Sequence, residues 1–276
     1  MRRWCCNVSQ NVVLPFRRGS SWGHIVLGLL MVLVIMLIVL PVVLVVGMSF
    51  SNSEMLAFPP RGLSLRHYRT FFEDQSWFQP ALLSLKYAVL STTVKVTLGT
   101  LASLALVRGR FRGKRIINLM LLSPMIVTPI IIAVAAYNVY VRFQLVGTTL
   151  GVVLAHTVLG IPMVVLVITA TLYRFDTNLE LAAMSLGANR LTTFWRITFP
   201  LIRVGIAVAA TFAFIDSFNE LIVTNFLVGT RSLTLPVQIY TGLRYTLSPV
   251  IASISSLMVG MSLLGLITIG ILQRRQ

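Results

Sequence analysis

The chain has very few acidic side chains and little charge of any kind. Seven Asp and Glu stand against 23 Lys and Arg in 276 residues, and charged residues make up only 11%. A typical soluble domain is about 25% charged, so the polar surface that a water-facing fold needs is missing. The two cysteines, Cys5 and Cys6, are adjacent, which leaves no second pair for a disulfide framework and too few thiols for a metal cage. Histidine occurs three times, which argues against a His-rich metal centre, and no nucleophile–base constellation stands out. What the chain has in excess is apolar: 57% of residues are hydrophobic and the mean hydropathy is +0.89. The bilayer is the expected solvent. A net charge of +16 then reads as Lys and Arg that retain loops on one side against anionic lipid. No basic face belongs to a soluble domain, so nucleic acid is not an expected partner.

A spanning helix takes about 20 apolar residues, and six runs qualify: 25–50, 82–107, 116–140, 148–173, 201–227 and 248–272. The first is longer than the apolar stretch of a signal peptide and reads as an uncleaved helix. Residues 1–24 form a tail and residues 25–276 the membrane domain. Pro124, Pro129 and Pro162 fall inside spans, where neighbouring helices can satisfy the freed backbone groups. Fifteen of the 23 cations lie in the N-terminal tail, the 107–115 loop, the 174–203 loop and the C-terminus, and seven lie in or next to the opposite loops, Lys86 at the adjoining end of the second span. The excess places both termini in the cytoplasm. The densest cluster, Arg108-Gly-Arg-Phe-Arg-Gly-Lys-Arg115, superficially suggests a phosphate loop. Gly109 and Gly113 are one residue too close, however, and Arg115 stands where Ser or Thr is required. No cofactor is expected on this chain, and any ATP with its Mg would sit on another.

The connection 174–200 is too apolar for a solvated linker. Thr177-Asn-Leu-Glu180 fits a capping box that starts a helix, and Leu179, Ala182, Ala183 and Leu186 form one stripe at helical spacing. Gly187 suits a left-handed C-terminal cap, a second short helix covers 191–197, and Pro200 fits the first turn of the fifth span. On these grounds alone the segment is either a docking helix for another protein or an interfacial helix on lipid headgroups.

Three residues charged at neutral pH fall well inside spans, away from their ends: Lys95, Asp216 and Glu220. Each costs about 2.5–3.5 kcal/mol at a helix centre on insertion scales, so each should face protein or water. Asp216 and Glu220, four apart, would share one helix face flanked by Asn219. Two readings stand: a negatively charged translocation path for a cation, or an interhelical pair with Lys95 that locks two spans. His156 reads as a hydrogen-bonded packing residue. Tyr137, Asn138 and Tyr140 are weaker solute-contact candidates. The external segment 51–80 carries Glu54, Glu73 and Asp74.

The spacing in the 174–200 loop adds a resemblance. Ala182-Ala183, three residues, Gly187, nine residues, then Ile197-Thr-Phe-Pro200 resembles the EAA loop of ABC importer permeases. Leu181 occupies the usual Glu position, with Glu180 one residue earlier, and Phe199 replaces a Leu. The segments Gly62–Tyr68, Phe214–Glu220 and Thr234–Tyr240 resemble the second permease of spermidine/putrescine systems. The resemblance covers roughly residues 60–275. It implies an all-α type I importer permease with six spans in a bacterial inner membrane, and a coupling helix inserted into a separate ATPase. Glu180, Ala182, Ala183, Gly187, Ile197 and Pro200 would form that dock. It further implies an ATPase dimer, a second permease subunit and a periplasmic or extracellular solute-binding protein as partners. The solute would be a polyamine or a similar small cation. The alternatives are iron, phosphonate, opine or amino-acid-like solutes, or a self-contained secondary transporter.

Overall fold

The computed structural model describes residues 21–53, 59, 62–229, 233–245 and 248–274. Cys5, Cys6, the arginines of the N-terminal tail, Glu54, Arg61, Arg231 and Arg275 lie outside the described residues. Contacts divide the chain into Met1–Val45 and Val46–Gln276. The described part of the first unit belongs to α1 (Ser21–Ser49), which carries no charged residue from Ile25 to Ser49. A helix that is apolar on every face has no water-facing side and calls for lipid or another membrane subunit.

The second unit is built from α2 (Arg66–Glu73), α3 (Gln75–Arg108), α4 (Lys114–Leu122), α5 (Pro129–Arg142), α6 (Thr149–Arg174), α7 (Asn178–Ser185), α8 (Arg190–Thr193), α9 (Phe199–Phe218), α10 (Ile222–Val228), α11 (Leu235–Tyr245) and α12 (Val250–Arg274). Among the described residues of the chain, five helices, α1 included, are long and apolar enough to cross a membrane, and six if the bent α4–α5 pair counts as one span. Three of them, α3, α6 and α9, pack on one another and form the heart of the bundle. The most buried is α6. Val152, His156, Gly160, Val164, Ile168 and Leu172 recur every four residues along it and are all buried, so one continuous row meets protein. Polar contacts tie down the other side: Tyr68 Oη is hydrogen-bonded to Ser49 Oγ at 2.7 Å and to Ser256 Oγ at 2.9 Å. Through these bonds α2 is held on α12.

Two expected spans are corrected. The third is not straight: α4 leads through a 3₁₀ turn (Ser123–Met125) and an irregular step into α5, with a bend of 102°. Pro129 is the cause. The residue before a proline is pushed out of the α region, and Thr128 has ψ 133°. Pro162, by contrast, stays inside an unbroken α6. The fifth span ends at Phe218 rather than near 227, because the backbone leaves the helix at Asn219 and restarts as α10. Two further helices, α2 and α11, lie in segments read from sequence as loops. Both are short and amphipathic, and α2 buries His67 and Phe71 four residues apart.

Candidate functional site

Lys95 on α3 reaches α9. Its Nζ donates to Asp216 Oδ2 at 3.0 Å and to the Ala213 carbonyl at 3.3 Å. The two partners are unequally placed: the Lys95 side chain is 0% exposed and that of Asp216 is 54% exposed. The ammonium is therefore sealed between helices, while the carboxylate keeps an open side. Gly160 on α6 makes the room. A Cβ at that position would meet Lys95 Cε and Nζ at 2.5 Å. Gly160→Ala is expected to cost about 1–3 kcal/mol by overpacking, read as a lower thermal midpoint in detergent. Gly260→Ala on α12, where a Cβ meets nothing within 4 Å, should leave the midpoint unchanged.

Beside the ion pair runs a buried polar chain. His156 Nδ1 is hydrogen-bonded to Ser217 Oγ at 2.7 Å and Nε2 to Thr224 Oγ1 at 2.8 Å, and Ser217 Oγ meets Ser91 Oγ at 2.6 Å. The chain joins α3, α6, α9 and α10, and it places His156 as the bonded packing residue expected from sequence. Ser91, Ser217 and Thr224 were not singled out in the sequence. Lone hydroxyls in apolar spans are common, and only their convergence on one imidazole marks them.

Glu220 departs from expectation. It lies past the end of α9, so it does not share a helical face with Asp216. Its Oε1 accepts from the Val223 N–H at 2.8 Å, at the start of α10. Asn219 turns back and donates from Nδ2 to the Ile215 carbonyl at 2.9 Å. The structure thus joins Lys95 to Asp216 and gives Glu220 and Asn219 local backbone partners. Asn138 also bonds its own helix, at Val134 O, while Tyr140 packs with the apolar cluster around Tyr87 and Val152. Outside the spans, Glu73 pairs with Arg69 at 2.7 Å, and Asp74 caps α3 by accepting from the Ser76 N–H at 2.8 Å. Among the described residues no group of three or more His, Cys, Asp or Glu is placed to hold a metal.

At the Arg108 end of the bundle, α7 projects between α6 and the start of the fifth span. The expected capping box does not form. Asp176 Oδ1 accepts from the Asn178 N–H at 2.9 Å, and Thr177 makes no cap bond. Glu180 cannot reach back because its Oε1 is taken by Arg108 Nη2 at 3.1 Å and Thr198 Oγ1 at 2.7 Å. Its side chain is only 17% exposed, so it faces its own chain. Gly187 has φ +91°, the left-handed conformation that lets the Gly187 and Ala188 N–H groups close onto the Met184 and Ala183 carbonyls. Asn189 then caps α8, accepting from the Thr192 N–H at 2.8 Å. A wide turn at Phe194–Thr198 carries the chain into α9 without a break, and Pro200 falls in the first turn of α9. The wider turn moves a carbonyl out of the path of the proline ring. Of the expected docking residues, Ala182, Gly187 and Pro200 are exposed, and Ala183 and Ile197 are half-buried. The outward face of α7 and its exit carries Leu179, Leu181, Ala182 and Leu186, with Leu186 90% exposed.

The second unit is thus a bundle of candidate spans with a buried ammonium, a half-exposed carboxylate and an exposed apolar helix face at the Arg108 end. Residues 95–276 match the family described as binding-protein-dependent transport system inner membrane component, and the chain belongs to that family. It is similar to the spermidine/putrescine transport system permease protein PotC of Escherichia coli, at 28% identity over 91% of this chain and 95% of that protein. It is also similar to the putrescine transport system permease protein PotI of the same organism, at 30% identity over 80% of each. Its fold matches a bacterial ABC transporter involved in the import of the acidic polysaccharide alginate. The TM-score is 0.68 at 16% identity, over 94% of this chain and 98% of that one. The protein is thus a multi-pass inner-membrane permease subunit of the ABC importer type.

Proposed function

We propose that this permease subunit carries a polyamine such as spermidine or putrescine, or a similar small organic cation, inward past Asp216. The observation that carries the reading is the half-open carboxylate of Asp216. A charged group is retained inside a span only where it faces protein or water, and Lys95 takes one of its oxygens while the other side stays open. Together with Glu220, the two carboxylates outnumber the single ammonium and leave a negative surplus for a cation. The names of the two polyamine permeases it resembles point the same way.

The rest of the assembly follows from the same reading. Both termini and α7 lie on the cytoplasmic side, where the excess of Arg and Lys falls. The apolar face of α7 enters an ATPase dimer that holds ATP and Mg, a second permease completes the pathway, and a solute-binding protein delivers cargo at the far face. The test is uptake into proteoliposomes holding the whole assembly. Labelled putrescine or spermidine should accumulate with ATP, and neutral or anionic solutes of similar size should not compete. Equal competition by anions would overturn the cation reading.

A further inference from the structure

Glu180 occupies an unexpected place in the docking element. Its Oε1 accepts from Arg108, the last residue of α3, and from Thr198, in the turn that runs into α9. The Arg108 guanidinium also lies over the Phe175 ring, 5.3 Å from its centre, just past the end of α6. The contact is partly buried on both sides, with Arg108 26% and Glu180 17% exposed, and Thr198 is buried. A single carboxylate on α7 thus grips the same end of two spans.

Those two spans, α3 and α9, carry the Lys95–Asp216 pair. Arg108 is 13 residues along α3 from Lys95, about 20 Å at a helical rise of 1.5 Å. Thr198 is 18 residues from Asp216 along a continuous helix, about 27 Å on the same rise. The helices are held together at one end through Glu180 and farther along by the ion pair. A displacement of α7 reaches the end of α3 and the start of α9 through this carboxylate.

We propose that Arg108 is a positioning residue that couples α7 to the ion pair, with Glu180 serving as the internal pin of α3 and α9 and not as a contact to the ATPase. The proposal rests on the docking role of α7. Energetic coupling needs packed elements with discrete arrangements that both sites bias, and two stiff helices joined at two points, Glu180 and the ion pair, supply a short route.

The experiment uses the whole assembly in proteoliposomes and reads three quantities: ATPase retained on purification, ATP hydrolysis, and solute transported per ATP. Arg108→Met should keep ATPase retention and hydrolysis within twofold while solute per ATP falls about tenfold, inside the usual span of coupling free energies. Arg108→Lys should recover part of the loss. Thr198→Val, which keeps the shape and removes one bond, should give an intermediate fall if Arg108→Met does not assemble. The reversed pair, Arg108→Glu with Glu180→Arg, should couple better than either single variant. Solute per ATP unchanged in both Arg108→Met and Thr198→Val would overturn the proposal. So would loss of ATPase retention in Glu180→Gln, because Glu180 would then be a docking contact. If the unaltered subunit retains no ATPase, the docking role of α7 fails, which is a separate result.

Discussion

Asp216→Ala is expected to destabilise the subunit by about 3–5 kcal/mol, the range for stripping one partner from a buried ion pair. Lys95→Met should cost far less, at most about 1 kcal/mol on the scale of a single net hydrogen bond. The asymmetry comes from placement. Without Asp216 the Lys95 ammonium stays fully buried with only the Ala213 carbonyl to accept from it. Without Lys95, the Asp216 carboxylate still has its open side. The double variant should regain most of the stability, since the stranded charge is gone. Thermal unfolding of the purified assembly measures all three. Uptake then separates the two roles left open in the sequence. A lock predicts that the refolded double variant transports normally, whereas a path predicts that it folds and fails to carry the cation. Lys95→Met proving the more damaging single change would contradict the geometry.

The second large effect is expected at Leu186. Leu186→Asp should weaken ATPase association by about 30-fold, the equivalent of the ~2 kcal/mol that a central apolar anchor contributes to an interface. Folding should be untouched, because the side chain is 90% exposed and supports nothing within its own chain. Phe143, 70% exposed near the opposite end of α6, is the control, and Phe143→Asp should leave association intact. Co-purification and a titration of ATPase onto the solubilised permease give the numbers. Unchanged affinity in Leu186→Asp would return α7 to the role of a helix resting on lipid headgroups.

Much of this architecture was legible in the sequence because hydropathy and charge bias are set by local composition. The spans near α3, α6 and α12 sit close to where apolar runs placed them, and Gly187 adopts the left-handed turn that its spacing demanded. The misreadings share one cause. A hydropathy window counts apolar residues and is blind to backbone direction. It ran the third span through Thr128 and Pro129, where the chain turns by 102°, and ran the fifth through Asn219, where the helix stops. The Lys95–Asp216 pair was one of two readings, because two charges in different spans do not declare their distance. Glu180 stands among the expected docking residues, and its contact with its own chain was not legible, because a helix of eight residues has an inner face as well as an outer one. Its partner, Arg108, lies 72 positions earlier, and such a contact leaves no periodic trace.

The break between α4 and α5 has a consequence for the life of the subunit in the cell. Ile126, in the irregular step, is 86% exposed, and non-helical backbone at membrane depth is tolerated only against protein or water, not against hydrocarbon. Where the step from Ile126 to Thr128 lies at membrane depth, a copy without a covering neighbour would turn non-helical backbone toward hydrocarbon. If a partner subunit covers that step in the assembled transporter, copies made without the partner should be cleared faster than assembled ones, and co-expression with the partner should raise the amount of this subunit.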